Sequence, residues 1–546
     1  MRTPFHVYDT TLRDGAQQEG MNLSVTDKLA IAEQLDELGV GFIEGGWPGA
    51  VPKDTDFFAR AAKELTLRNA VLAAFGATRR AGTRAGDDPQ VRALLDAETP
   101  VVTLVAKSDS RHVERALRTT RDENLAMIRD TVEFLSREGR RVVLDAEHFF
   151  DGYRHDADYA LTAARTAFEA GAEVVCLCDT NGGMIPTWVS QIVAEVLDGV
   201  GGRETGHMLG VHAHNDSGCA VANTLAAVEA GATHVQGTVN GYGERTGNAD
   251  LIAVTANLQL KLGMELVPET GLREATRIAH AISEITNISP FARQPYVGQS
   301  AFTHKAGLHA SAIRVDPDLY QHMDPKDVGN DMRMLVSDMA GRASVELKGR
   351  ELGFDLSDQK DVLARVTDRV KQDEARGYTY EAADASFELV LRDELGDLPR
   401  YFETQSWRTI VETVPDGHTP ADVYGPEAEA FAEATVKITV GDQRIVATGE
   451  GSGPVDALDR AVRQALTAEY PVLERFELID FKVRILDTDQ GTDARTRVLV
   501  ETADGEHSWS TVGVGPNVIE AAWEAVTGAY VYGLIKAGAT PARTSA

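Results

Sequence analysis

Short apolar runs alternate with helix-periodic stretches over the first half of the chain. The runs are Phe5–Tyr8, Gly41–Ile43, Ala70–Phe75, Val101–Val105, Val142–Leu144, Glu173–Leu177, Leu209–His212 and His234–Thr238. Between them lie Ala-rich segments such as DKLAIAEQLDELG, YALTAARTAFEAGA and CAVANTLAAVEAGA, with apolar residues at helical spacing and a glycine near the end, a usual helix stop. Strand–helix alternation favours a parallel sheet. Eight such units in about 260 residues is the arithmetic of a (β/α)8 TIM barrel, against the rival of a doubly wound open sheet.

The pattern changes beyond the barrel. A catalytic barrel is expected over 1–270, a helical linker over 271–398 and a C-terminal α+β domain over 399–540. The last domain repeats itself. Gly451, Gly453 and Pro454 recur as Gly513, Gly515 and Pro516, 62 residues later. Each G-x-G-P follows β-rich runs and precedes a helical run, which predicts two βββα units. Such glycine turns open helices whose free N–H groups suit a carboxylate, though an internal repeat is more often structural.

Polar residues gather just after the barrel runs. DTTLRDG follows the first, EGG the second, AEHFFDGY the fifth and CDTNGG the sixth; HAHND ends the seventh and NGYGERTGN follows the eighth. In barrels of this kind the carboxyl ends of the strands hold the active site.

Composition narrows the class. The chain has 546 residues, 43 % hydrophobic and 25 % charged, as an ordinary globular protein has. No apolar run is long enough to span a bilayer. The net charge of −30 repels phosphate backbones and anionic lipid, so neither nucleic acid nor membrane is expected as a partner. Only Cys176, Cys178 and Cys219 are present, which gives no disulfide framework and fits a reducing cytoplasm. The first run begins at Phe5, so no signal peptide is expected.

His212 and His214 are one residue apart on a strand and point the same way. Both can reach one ion at the barrel mouth. Asp14 offers a carboxylate from the first loop and Asn248 a carbonyl oxygen from the last; strands one and eight are neighbours in a closed barrel. Two imidazoles with oxygen donors suit a divalent ion such as Mn, Zn, Co or Mg. The plain alternatives are incidental histidines, a turn residue at Asp14 and a capping residue at Asn248. Arg13 would face negative charge developing on a carbonyl oxygen, or form an ion pair with Glu44 or Asp179. Glu147 is a candidate for moving a proton or orienting substrate. Gln17, Glu44 and Thr180 complete the substrate-contacting candidates.

DTTLRDGAQQEG, HAHNDSGCAVANTLAAVEAGATHVQGTVNGYGERTGNADL and FTHKAGLHAS resemble the metal-dependent acyltransferases of the isopropylmalate, homocitrate and citramalate synthase family, over nearly the whole chain. IEGGWPGAVPKDTDFF and LDAEHFFDGY resemble its (R)-citramalate synthase branch. The resemblance implies Claisen condensation of acetyl-CoA with a 2-oxo acid, pyruvate in this branch, followed by thioester hydrolysis, in isoleucine biosynthesis. It implies Asp14, His212, His214 and Asn248 as metal ligands, Arg13 at the keto oxygen, and Glu147 and Thr180 at the oxo acid. It makes His309 an acid/base and Tyr320 its companion, reaching a neighbouring subunit's barrel in a homodimer; on residue type alone both read as packing residues. His304 and Lys305 are weaker candidates for contact with CoA. The repeat resembles the family's allosteric domain, which implies feedback by a branched-chain amino acid, isoleucine before leucine, near Gly451, Gly453, Gly513 and Gly515. Related lyases carry a Cys in the last glycine-rich loop, and NGYGERTGN has none, which favours synthesis.

The competing readings are a 2-isopropylmalate synthase, a homocitrate synthase and a non-catalytic amino-acid sensor. Arg79 and Arg80, after the third run, keep open a cation for a distal carboxylate, as 2-oxoglutarate would need. A sensor has no use for Arg13, Asp14, Glu147, His212, His214 and His309 together.

Overall fold

The computed structural model describes residues 5–337, 339, 341–411, 432–486 and 494–543. The chain forms two compact units, Met1–Phe302 with Met323–Asp331, and Thr303–His322 with Met332–Ala546.

The first unit is a closed barrel of eight parallel strands in sequential order. They are β1 (His6–Asp9), β2 (Phe42–Gly46), β3 (Val71–Ala77), β4 (Val101–Lys107), β5 (Arg141–Glu147), β6 (Val174–Asp179), β7 (Met208–Ala213) and β8 (His234–Gly237). Each falls on one of the apolar runs. The barrel closes where β1 pairs with β8, His6 opposite His234 and Asp9 opposite Gly237. Helices wrap the sheet, so β2, β6 and β7 are buried at every residue. The helix Val25–Leu38 shows the local logic: Ser24 and Asp27 form a capping box, and Leu29, Ile31, Leu35 and Leu38 turn inward. Each such side chain contributes about 1.5–3 kcal/mol when fully buried.

Alternation sends every second strand residue into the barrel. The deepest inward positions are apolar: Tyr8, Phe42, Ala73, Val101, Val143, Val174 and Met208, one from each of β1 to β7, pack together. Two residues further along, the inward positions turn polar, with Glu44, Thr103, Asp145 and Gln236 all buried. The Tyr8 hydroxyl joins these layers, donating to Glu44 Oε2 at 2.6 Å and lying 2.6 Å from Thr103 Oγ1. Two residues further still come Glu147, Cys178 and His212, at the mouth.

In the second unit β9 (Thr303–His304) pairs with β10 (Arg333–Met334). The helices Gly307–Ile313, Arg342–Glu351, Lys360–Ala375 and Asp384–Leu395 belong to it. Then come the two repeats. β11 (Glu403–Val411), β12 (Ala432–Val440) and β13 (Gln443–Gly451) form one antiparallel sheet, followed by the helix Pro454–Leu466. β14 (Glu477–Ile485), β15 (Thr496–Ala503) and β16 (Ser508–Gly515) form another, followed by Val518–Lys536. Val436, Ile438, Leu458, Val462, Val498, Val500, Val526 and Tyr530 belong to one core shared by both.

The repeated glycines have a packing reason. A Cβ on Gly513 would lie 2.1 Å from the Ala521 carbonyl oxygen, one on Gly515 2.9 Å from Ala521 N, and one on Gly451 2.5 Å from Ala457 N. Helix and strand approach too closely there for any side chain. Gly453 has open space around its Cβ position. At the second helix Asn517 Oδ1 already accepts from the N–H groups of Ile519 and Glu520, at 3.0 Å each. At the first, Ser452 N–H donates to Asp456 Oδ2 at 2.8 Å. Among the described residues, no helix is long and apolar enough to cross a membrane.

Candidate active site

The carboxyl ends of the barrel strands surround a cavity of about 650 Å³. Arg13, Asp14, Gln17, Glu147, Thr180, His212 and His214 all line it. Asp14 comes from the turn after β1, His212 from β7 and His214 from just beyond it. Asp14 Oδ2 lies 3.0 Å from His212 Nε2 and 3.7 Å from His214 Nε2. The ligand atoms of these three residues lie within 4.8 Å of one another, and all three are buried.

Asn248 stands beside them, its backbone bridged to that of His214. A tight loop brings it there: a Cβ on Gly247, at φ 85°, would lie 1.9 Å from the Gly241 carbonyl oxygen. Asn248 Nδ2 donates to the Tyr242 carbonyl at 2.9 Å. Its Oδ1 is buried without a hydrogen-bond partner, as is His214 Nδ1. A carboxylate, two imidazoles and an unpaired amide oxygen fit a divalent cation.

The local electrostatics suit the same purpose. Burial opposes ionisation of Asp14, but Arg13, His212 and His214 outweigh it and hold the carboxyl well below the usual range. Burial, reinforced by His212, pushes His214 down to about 4, so its ring carries a free lone pair at neutral pH. Burial also disfavours charge on His212, but Asp14 overcomes it and raises this imidazole.

Arg13 is fixed from two sides. Its Nε donates to Glu44 Oε1 at 2.5 Å, and its guanidinium carbon sits 3.9 Å from the Phe75 ring centroid. Glu44 is fully buried and absent from the cavity wall, with one oxygen on Tyr8 and the other on Arg13. It therefore stands behind Arg13 rather than facing the cavity. Asp179, the other partner open to Arg13, instead accepts from the N–H groups of Gly183 and Met184.

Glu147 forms an ion pair with Lys107, and both line the cavity. Thr180 Oγ1 accepts from His148 N–H at 2.9 Å, which leaves the hydroxyl hydrogen to donate. Arg245 holds Asp216 through two hydrogen bonds of 2.8 and 2.9 Å and donates to the Thr180 carbonyl at 2.8 Å. Lys107, Arg245 and Trp47 are wall residues the sequence reading passed over. Lys107 lies two residues past the fourth apolar run, at the end of β4, and Arg245 lies in NGYGERTGN after the eighth, so position just beyond a run was the available signal for both. Arg79 also lines the cavity, but its guanidinium is taken by Glu123 at 2.8 Å and Asp130 at 2.7 Å; Arg80 is exposed at the wall.

His309 and Tyr320 belong to the second unit, where their rings stack with centroids 4.1 Å apart. The His304 ring is 5.8 Å from that of His309, and Lys305 pairs with Glu381.

Three family models match this chain. The HMGL-like family covers residues 5–282, the homocitrate synthase post-HMGL domain-like family 296–377, and the LeuA allosteric (dimerisation) domain 381–534. The first spans half the chain and gives the class, an HMGL-like barrel carrying a mouth of metal-ligand type. Over the full length the likeness is narrower. An (R)-citramalate synthase of Streptomyces coelicolor is 61 % identical, covering 98 % of each chain. Those of Aquifex aeolicus and Synechocystis are 46 % and 48 % identical over 98 % of this chain, and over 99 % and 96 % of their own. The chain belongs to the (R)-citramalate synthase family of acyltransferases.

Proposed function

We propose that this protein condenses acetyl-CoA with pyruvate and water to give (R)-citramalate and CoA. The observation that carries the reading is the Asp14–His212–His214 cluster sharing one cavity with Arg13. Asp14, His212 and His214 would hold the divalent ion (Mn, Zn, Co or Mg), with Asn248 Oδ1 as a further ligand. When bound, such an ion supplies Lewis acidity that draws electron density from the oxo acid.

The protein groups divide the remaining work. Arg13, oriented by Glu44 and Phe75, faces the ketone oxygen and stabilises the negative charge that develops there. Thr180 donates its free hydroxyl hydrogen to the oxo-acid carboxylate, and Gln17 adds an amide contact. A proton leaves the methyl of acetyl-CoA, and that carbon bonds to the ketone carbon. The ketone oxygen then takes up a proton. Water opens the thioester, releasing CoA as its thiol and leaving the second carboxylate. Glu147, its direction set by Lys107, orients the substrate or moves a proton. His309, with Tyr320 stacked on it, is the proposed acid/base partner.

The preference for pyruvate rests on the likeness to the citramalate synthases. Of the two arginines after β3, Arg79 is committed to Glu123 and Asp130, while Arg80 stands exposed at the cavity wall. The repeat is proposed to bind a branched-chain amino acid, isoleucine first, and to hold a homodimer. Exposed apolar residues on its sheets, such as Ile410, Val446, Ile479 and Val483, favour the latter.

The test is thiol release from acetyl-CoA with each oxo acid in turn. Pyruvate is expected to exceed 2-oxoisovalerate and 2-oxoglutarate in kcat/KM by at least about tenfold. Better turnover of 2-oxoisovalerate would make the protein an isopropylmalate synthase; better turnover of 2-oxoglutarate, a homocitrate synthase. Isoleucine added to the full chain should lower activity, and indifference to isoleucine and leucine alike would end the regulatory proposal.

A further inference from the structure

Behind the candidate metal centre lies a buried amide held by three polar side chains. Gln236 and His234 are inward-facing neighbours on β8, and Gln236 sits opposite His212 of β7 in the strand register. Gln236 Oε1 is 2.8 Å from His212 Nδ1. Gln236 Nε2 donates to Asp145 Oδ1 of β5 at 2.8 Å and lies 3.3 Å from His234 Nε2. All four side chains are buried.

Burial and the nearby Glu44 raise the Asp145 carboxyl, while the Gln236 contact favours its ionised form. In that form the carboxylate only accepts, so the amide nitrogen faces Asp145. Burial, with His6 and His212 nearby, keeps His234 uncharged, so its Nε2 can accept the second amide hydrogen. A flipped amide would set its oxygen against the Asp145 oxygen. With the nitrogen so placed, Gln236 Oε1 faces His212 Nδ1, and an amide oxygen can only accept. His212 then carries a hydrogen on Nδ1, and Nε2 is the nitrogen that faces Asp14 and the proposed ion.

We infer that Gln236, anchored by Asp145, is a positioning residue that fixes the tautomer and ring direction of His212 for the metal ion. The inference rests on the proposed metal centre and goes one layer behind it. Partners of this kind generally change metal affinity ten- to hundredfold when removed.

The experiment measures divalent-ion affinity by chelator competition on the full chain, with circular dichroism as the check on folding. Wild type and His212→Ala come first. If wild type binds no ion that His212→Ala loses, the metal centre itself is refuted. If that control holds, Gln236→Met should weaken binding about ten- to hundredfold, because it keeps the volume but removes the acceptor. Gln236→Glu keeps an acceptor towards His212 and should stay within about threefold of wild type if the acceptor matters rather than the amide. Wild-type affinity in a folded Gln236→Met overturns the inference while leaving the metal centre standing. If Gln236→Met does not fold, long-range 1H–15N spectra of the histidine-labelled wild-type holoenzyme decide, with His212→Gln assigning the signal. Hydrogen on Nδ1 of His212 supports the inference, and hydrogen on Nε2 overturns it.

Discussion

Around the barrel mouth Asp14, Glu44, Asp145 and His212 are all buried, and each is held by another polar side chain. In β12 the reverse holds: Ala432, Ala434, Val436, Ile438 and Val440 are buried, while Glu433 and Lys437 stand exposed. One region places charge where water is excluded; the other excludes charge from its core. Burying ionised groups is unfavourable unless they are paired, so the mouth has a network of partners. The repeat needs none, and its close helix–strand contacts rest on Gly451, Gly513 and Gly515 instead. Substitutions at the mouth should therefore act on turnover, and substitutions in the repeat on stability.

Metal removal is the strongest way to test that division. Treatment with a chelator should bring turnover to background and a divalent ion should restore it, while the thermal unfolding of the C-terminal domain stays where it was. Full turnover by a verified metal-free sample would break the comparison at its first member. Arg13→Lys should follow, lowering kcat about 10²- to 10³-fold, since a lysine cannot reach Glu44 and the developing oxyanion with one fork. Steady-state kinetics with pyruvate would measure it.

Gly513→Ala probes the other side. Its methyl would meet the Ala521 carbonyl at 2.1 Å, so about 2 kcal/mol or more of stability should be lost in urea unfolding. The kcat of the folded fraction should be unchanged.

Asp9 extends the test to a buried carboxyl away from the cavity wall. Burial pushes it up to about 7 from 3.8, despite hydrogen bonds from the Thr11 N–H and hydroxyl at 2.8 Å each. A folded-state value above the unfolded one means that the proton stabilises the fold. That contribution is complete below the unfolded value and is lost as the pH rises through about 7. Relative to Asp9→Asn, wild type should lose about 1 kcal/mol per pH unit between about pH 5 and pH 6. Equal slopes for the two proteins would contradict the assignment. Smallest of all, Gly453→Ala meets open space and should cost less than about 1 kcal/mol, which sharpens the contrast with Gly513.

What the sequence made legible follows the same line. The eight strands showed as apolar runs because a strand covered on both faces is built mainly from apolar residues. Asp14, His212 and His214 stood out because charged residues at strand ends have no packing reason to be there. The two βββα units showed through their repeated glycines, each set by a backbone contact. Gln236 and Asp145 did not show. A single amide inside a strand has no periodic or motif signal, and its partner lies 91 residues away on another strand. Glu44 was visible as polar, but only three-dimensional placement distinguishes a residue facing the cavity from one behind Arg13. Lys107 was hidden because a lysine ending a strand also reads as an ordinary exposed terminus.

Anomalous diffraction from crystals grown with Zn²⁺ tests the central claim most directly. Zinc favours nitrogen and sulfur ligands, so it will also find any competing site. The account predicts a peak about 2.0–2.2 Å from an Asp14 carboxylate oxygen, His212 Nε2 and a His214 ring nitrogen. A second buried cluster, Asp145 with Cys176 and Cys178, also has ligand atoms within 4.8 Å of one another. A peak there with none at Asp14, His212 and His214, or no bound ion at all in active protein, would contradict the account.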